Sequence, residues 1–247
     1  MFASNVYKER REALRRQVGG GLILLLGNGE ASSNYPDNTY HFRQDSSFLY
    51  FFGINHPGFA GVIDVEAGEE TLFGNDFTMD DIIWMGPQPS VASQAAEVGV
   101  EKSAPLSQLK QVIEAAQRQG RQVHFLPPYR HANKLWLEEL TGIRVAQLAA
   151  QVSVELIKAI VALRSVKSAL EIAEIERACD IGYEMHTTAM RMCKPGVKEQ
   201  LIAGTIEGIA LAHGAGVSFP TILSMNGETL HNHYHGNLLQ EGRLMLT

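Results

Sequence analysis

The chain has 247 residues, 45% hydrophobic and 19% charged, enough for one large domain or two modest ones with a substantial core. Lys and Arg total 21 against 27 Asp and Glu, and a net charge of -6 argues against a phosphate-backbone binder, so no nucleic-acid partner is expected. The longest aliphatic run, Leu22 to Leu26, is far shorter than the roughly 20 apolar residues of a membrane span, and no apolar signal core follows the basic residues near the N-terminus. A cytoplasmic protein without a membrane partner is the expectation.

In chain order, Asn5 to Gln17 is charged and helix-prone, and Gly19-Gly20-Gly21 stops it before a buried strand at Leu22 to Leu26. A polar loop through Asn34 to Asn38 leads to Phe48-Leu49-Tyr50-Phe51-Phe52, whose unbroken apolarity fits a strand or a short buried helix equally. Ala60 to Val65 and Glu70 to Phe73 read as two strands around a turn. Helices follow at Ser90 to Glu97 and Leu106 to Arg118, then a strand at Gln122 to Leu126 and a helix at His131 to Leu140. This alternation makes the first part an α/β unit. Helices dominate after about residue 150. Ser168 with Glu171 forms a capping-box pattern, and Ile172, Ile175, Cys179, Gly182, Ala189 and Cys193 give a stripe expected to face a core until Pro195-Gly196. A second helix over Val197 to His213 stops at Gly214-Ala215-Gly216. Phe219 to Leu223 and Leu230 to Leu239 look extended around an Asn226-Gly227 hairpin turn, and Arg243 to Thr247 is a strand pattern that ends abruptly, as in a fragment of a longer protein.

Cys179 and Cys193 share the long predicted helix, too far apart there for a disulfide, and read as small apolar residues of a reducing compartment. His231, His233 and His235 would share one face of a strand and converge as metal ligands, or belong to a polar loop bonded to backbone and water. No His-Glu-x-x-His or Cys-x-x-Cys pair is present, and Asp76, Asp80 and Asp81 have no nearby histidine. The Gly19 to Gly21 run precedes a strand rather than opening a helix with Lys-Ser or Lys-Thr, which disfavours a phosphate loop. Arg43-Gln44-Asp45 is either a ligand site or a charge pair anchoring a loop. Trp84 is either packed core or an exposed contact residue, and His186 is expected as a hydrogen-bonded core histidine.

Several separated motifs, in order, resemble one family. Phe42 to Gly53 looks like the signature of the aminopeptidase P N-terminal domain, and Ile83-Trp84-Met85-Gly86 fits a later piece of it. Leu163 to Ser168 with Glu171-Ile172 is similar to the junction where that family's catalytic domain begins, and Cys193-Lys194-Pro195-Gly196 to the end of its first helix. The family is the Xaa-Pro aminopeptidases and prolidases. The resemblance implies a creatinase-like N-terminal mixed-sheet α/β domain over residues 1–163, followed over 164–247 by the first part of an α+β pita-bread metallopeptidase domain. It implies metal-dependent removal of the residue that precedes proline at a peptide N-terminus, two divalent ions, namely manganese, in the full-length protein, and a homo-oligomer.

Leu230-His231 matches the family's leucine-histidine step, which gives His231 a catalytic and substrate-binding role outside the metal shell, while Trp84 lies in a motif that reaches a neighbouring subunit's active site and is a substrate-binding candidate. The family's first metal-ligating Asp follows the strand that Gly242 to Thr247 resembles, so no residue here is assigned as a metal ligand. This span alone is expected to bind no metal and to be inactive. A signature at Arg43-Gln44-Asp45 favours the aminopeptidase over an Xaa-Pro dipeptidase; a creatinase-like hydrolase and a non-catalytic pita-bread module that binds peptides or proteins are the rivals.

Overall fold

The computed structural model describes residues 1–214 and 216–247, which divide into two compact units, Met1–Val166 and Lys167–Thr247. Ala215, within the expected Gly214-Ala215-Gly216 stop, lies outside the described residues.

The first unit is built on one strand that is apolar on both faces. Helix α1 (Ser4–Gln17) turns Tyr7, Arg11 and Leu14 inward at helical spacing. Gly21, at φ 86°, then redirects the chain into β1 (Leu22–Leu26). The run that reads as a polar loop contains a short hairpin, β2 (Ser32–Tyr35) with β3 (Asn38–Thr39), exposed along most of its length. The aromatic cluster resolves as helix α2 (Ser46–Phe52) because its ends are chemically marked. Asp45 Oδ1 accepts the Ser47 and Phe48 N–H groups at 2.9 Å each, and Gly53 terminates the helix at φ 68°. Phe48, Phe51 and Phe52 are thereby buried together, each contributing about 1.5–3 kcal/mol of transfer free energy.

Strands β4 (Ala60–Asp64) and β5 (Glu69–Phe73) pair antiparallel, as expected. Three elements that the sequence pattern does not reveal follow: helix α3 (Met79–Met85), strand β6 (Lys102–Ala104) and, later, helix α7 (Val145–Gln151). Between them lie α4 (Val91–Glu97), a single 3-10 turn with α5 (Leu109–Arg118), β7 (Val123–His124) and α6 (His131–Thr141), and α8 (Val154–Ser165) closes the unit. The strand expected over Gln122 to Leu126 is only two residues long, because β7 is an edge strand held by β1 alone.

Sheet order is β6-β5-β4-β1-β7, with β1/β4 and β4/β5 antiparallel and β5/β6 and β1/β7 parallel. The pleat sends Ile23 and Leu25 into a core shared with α1, α2, α4 and α8, while Leu22 and Leu24 enter a second core with α5, α6 and α7. Helices on both faces explain why β1 reads as a continuous apolar run. Gly61, opposite Leu25, has no side chain because the Phe52 ring occupies that space; a Cβ there would lie 2.1 Å from the ring. Among the described residues no single helix is long and apolar enough to cross a membrane.

The buried Arg11 ties this unit together. Its guanidinium donates to Phe51 O at 2.9 Å and to Val98 O and Gly99 O at 3.0 Å each, which fastens α1 to the ends of α2 and α4. Glu70 lies 3.8 Å from Nε. Burial pushes the Arg11 pKa down and the Glu70 pKa up, in both cases against the charged form.

In the second unit, α9 (Ala169–Met192) starts at the expected capping box, with Glu171 N–H donating to Ser168 Oγ at 3.3 Å and Ser168 N–H to Glu171 Oε2 at 2.9 Å. Helix α10 (Glu199–His213) packs against it, and Ala189, Ile202, Ile206, Leu223 and Leu239 form a small core. The stripe expected to face a core does not do so. Ile172, Ile175, Cys179, His186 and Cys193 are exposed, and Ala189 is the one buried residue of α9. Among the described residues the helix packed against α9 is α10, which covers part of one side.

The extended segments expected around Asn226-Gly227 do not form a hairpin. Their backbone groups bond elsewhere: Leu239 N–H donates to Val197 O, Gly196 N–H to Leu239 O and Gln200 N–H to His235 O, at 2.8, 2.8 and 2.9 Å. Ser224 and Leu246 exchange both hydrogen bonds in an isolated bridge. The leading edge of α10 thus takes the place of a partner strand.

Candidate functional site

The polar segment from Ser224 to Asn237 carries the three histidines and is organised by a residue that the sequence pattern leaves unremarked. Glu199 opens α10 and is fully buried. Its Oε1 accepts the Met225 N–H at 2.7 Å and Ser224 Oγ at 3.4 Å, and its Oε2 accepts Asn237 Nδ2 at 3.0 Å. Ser224 Oγ also accepts Asn226 N–H at 3.0 Å and Asn232 Nδ2 at 3.3 Å, while Asn232 Oδ1 accepts Tyr234 N–H at 2.9 Å. A single acidic residue after Lys198 reads only as a favourable helix start; its acceptor role depends on groups 25 to 38 positions downstream.

His231 sits exposed in a turn within this segment, and His233 is exposed beside it. His235 is half-buried, with Nδ1 2.9 Å from Leu223 O; a carbonyl only accepts, so Nδ1 carries the hydrogen. The alternation that would bring three imidazoles to one face is absent, because residues 230–237 form turn and loop rather than strand. Among the described residues no group of three or more His, Cys, Asp or Glu is placed to hold a metal ion. The side chains described thus do not by themselves assemble a metal centre.

Trp84 proves to be an exposed residue. Helix α3 is held by a Thr78-Asp81 capping box and buries none of its residues, leaving Trp84 87% exposed beside Ile83 and Met85. The Thr78 hydroxyl and N–H lower the Asp81 pKa, which assigns that carboxylate to capping. Asp76 likewise accepts the Val91 N–H at 2.6 Å, next to the start of α4.

At Arg43-Gln44-Asp45 the anchoring group is the central amide. Buried Gln44 accepts from Asn28 N–H at 2.7 Å and Asp45 N–H at 2.9 Å, and donates to Ile54 O at 3.1 Å and His56 O at 2.8 Å. A neighbouring cavity of about 40 Å³, lined by Leu26, Asp45, Pro127, Tyr129 and Asn133 among others, suits a water or two rather than a substrate.

The glycine run is poorly placed to cradle an anion, since carboxylates already hold two of its three N–H groups: Glu155 takes Gly19 at 2.8 Å and Glu66 takes Gly21 at 2.7 Å. Arg121 joins Asp64 at 2.6 Å and also bonds Glu66. The Arg121 hydrogen bond and then the Gly21 N–H lower the Glu66 pKa; at Asp64 burial acts upward but is outweighed by Arg121 and the Ala67 N–H. These groups fasten β1, β4 and the turn after it.

Residues 7–125 match the family model for the aminopeptidase P N-terminal domain, and residues 173–247 that for metallopeptidase family M24. The Xaa-Pro aminopeptidase of Escherichia coli (strain K12) is 29% identical over 252 residues, which takes in 97% of this chain and 57% of that protein. The human Xaa-Pro dipeptidase is 27% identical over 207 residues, or 82% of this chain and 41% of the relative. A solved structure of E. coli aminopeptidase P in its low-pH form superposes with a TM-score of 0.82 at 25% identity, covering 99% of this chain and 58% of that one. The chain spans about half the length of the curated relatives it matches.

Proposed function

We propose that this chain, whose segments 7–125 and 173–247 match the aminopeptidase P N-terminal domain and metallopeptidase family M24, forms the N-terminal domain and the opening of the catalytic domain of an Xaa-Pro aminopeptidase. Residues 1–163 are the creatinase-like domain and 164–247 the first part of the pita-bread domain. The reading rests on one observation: two family segments occur in the family's order on a chain whose fold follows aminopeptidase P over 99% of its length. Substrates are peptides with proline at the second position. The protein is a cytoplasmic homo-oligomer in which exposed Trp84 reaches the peptide in a neighbouring copy's cleft.

The extended protein would hold divalent metal ions, two manganese ions on this reading, which would supply an activated water and a polarised peptide carbonyl when bound. Among the described residues none is assigned as one of their ligands. The role of His231 is to donate an imidazole N–H to the oxygen of the peptide carbonyl as that oxygen gains negative charge, a contact stronger in the transition state than in the ground state. Its exposed turn leaves the ring open to a substrate.

The test uses the protein extended to the length of its relatives and loaded with manganese, assayed on Xaa-Pro dipeptides, longer Xaa-Pro peptides and creatine in parallel. Hydrolysis of the longer peptides supports the aminopeptidase; dipeptides alone would indicate the dipeptidase, creatine a creatinase-like enzyme, and no turnover a binding module. His231→Ala should lower turnover by roughly 10²-fold or more with bound metal unchanged. Loss of metal in that variant would refute the assigned role.

A further inference from the structure

We propose that Glu199 is a positioning residue for His231, acting through Ser224, Asn232 and Asn237; the inference deepens the role given to His231 above and rests on it. The carboxylate spans the segment that carries the histidine. One oxygen holds Ser224 and Met225 before the turn, and the other holds Asn237 after it. From Ser224 Oγ the chain of bonds continues to Asn232, the residue next to His231, and Asn232 in turn accepts the Tyr234 N–H. The His231 ring itself makes no hydrogen bond with the described residues, so its placement depends on the backbone on either side.

A carboxylate serving only its helix would bond N–H groups of the first turn. Glu199 instead directs both oxygens away from α10, while its own N–H is accepted by Asn237 O at 3.0 Å. The segment has no strand ladder to fix it, and Leu223 and Leu239 are the apolar side chains that seat its two ends in the core. Besides the bonds of His235 to Leu223 O and Gln200 and of Arg243 to Met225 O, it is polar bonds to one buried anchor that join the two sides of the turn. A reacting group displaced by about 1 Å can lose about 10²-fold in rate, so an anchor of this kind acts on turnover more than on substrate affinity.

The chemistry of the pair supplies its own control. In Asn237→Asp two carboxylates face each other and repel. In the double variant Glu199→Gln with Asn237→Asp the donor and acceptor are exchanged, so that the amide of residue 199 donates to the new carboxylate and the contact is restored. Asn232→Ala cuts the last link to His231 at a half-exposed position, where folding is least at risk.

The experiment measures kcat, KM and bound metal for Glu199→Ala, Asn232→Ala, Asn237→Asp and the exchanged double variant in the metal-loaded, extended protein, with an Xaa-Pro peptide as substrate. It also records histidine ring NMR spectra on the 247-residue chain. We expect Asn232→Ala and Glu199→Ala to lower kcat about tenfold with KM within about twofold and metal unchanged, and the double variant to recover most of what Asn237→Asp loses. The His231 ring signals should shift or broaden in both alanine variants while those of His124 stay put. Should Glu199→Ala fail to fold, Asn232→Ala and the exchange pair decide. Turnover within about twofold of the parent in Asn232→Ala, or no recovery in the double variant, overturns the proposal. Absence of peptide hydrolysis by the parent protein would instead defeat the peptidase reading; the ring spectra then decide alone, and His231 signals unchanged in both alanine variants would overturn the positioning role.

Discussion

Replacing Arg11 by Met should unfold the first unit far more readily than removing its acidic neighbour. Met keeps much of the apolar stem but leaves the Phe51, Val98 and Gly99 carbonyls without their donor in a site closed to water. Stranding a buried acceptor costs about 1–3 kcal/mol, and here three carbonyls lose their donor. Taking about 3–5 kcal/mol for the variant, at about 2–4 °C per kcal/mol for a domain of this size, the melting temperature should fall by about 6–20 °C. Glu70→Gln should have the smaller effect, because Glu70 lies 3.8 Å from a nitrogen that has no hydrogen-bond partner, and burial already disfavours the charged form of the carboxylate. The order of the two variants therefore separates hydrogen bonding from ion pairing as the source of stability. Urea titrations followed by circular dichroism measure both. If Arg11→Met costs less than about 1 kcal/mol, the carbonyls find other partners and the reasoning fails.

Three further outcomes are expected. Asp64 and Glu66 have pKa values below their ordinary 3.8 and 4.5, so the stability they contribute is present above those values and lost as pH falls through the lowered ones; Arg121→Met should flatten that acid limb in thermal melts between about pH 5 and 2, and an unchanged limb would reject the linkage. Asp45→Ala removes the acceptor of two α2 N–H groups and should destabilise by about 0.5–2 kcal/mol in urea titration, whereas no loss would mean that water replaces the cap. His124 is buried between Gly20 O, 2.8 Å from Nε2, and Ser153 Oγ, 2.7 Å from Nδ1. Since the carbonyl only accepts, nitrogen-15 spectra should show the Nε2–H tautomer; the Nδ1–H form would contradict this geometry.

The elements legible in the sequence are those whose causes are local. Leu22 to Leu26 announces a strand covered on both faces, and the Ser168-Glu171 pair announces the start of α9 because cap and partner lie three residues apart. The aromatic cluster is ambiguous by periodicity but not by its ends, since Asp45 and Gly53 together mark a helix. Longer-range causes are invisible. Glu199 looks ordinary until the fold brings Met225 and Asn237 to its oxygens, and Asn226-Gly227 looks like a hairpin turn until α10 claims the flanking backbone. Trp84 lies on a seven-residue helix whose Thr78-Asp81 cap is readable, but its exposure is a property of the packing.

Gly61 has a consequence for how the central sheet finds its alignment. Where every side chain on a strand is greasy, inside-outside alternation cannot tell one pairing offset from the next. The Phe52 ring can settle only over the position that lacks a side chain, so the aromatic acts as a key and Gly61, opposite Leu25, as its notch. A single-residue slip would bring Ala60 or Val62 beneath the ring. Strand alignment is thus verified by fit at one point, supplied by the helix that carries Phe52.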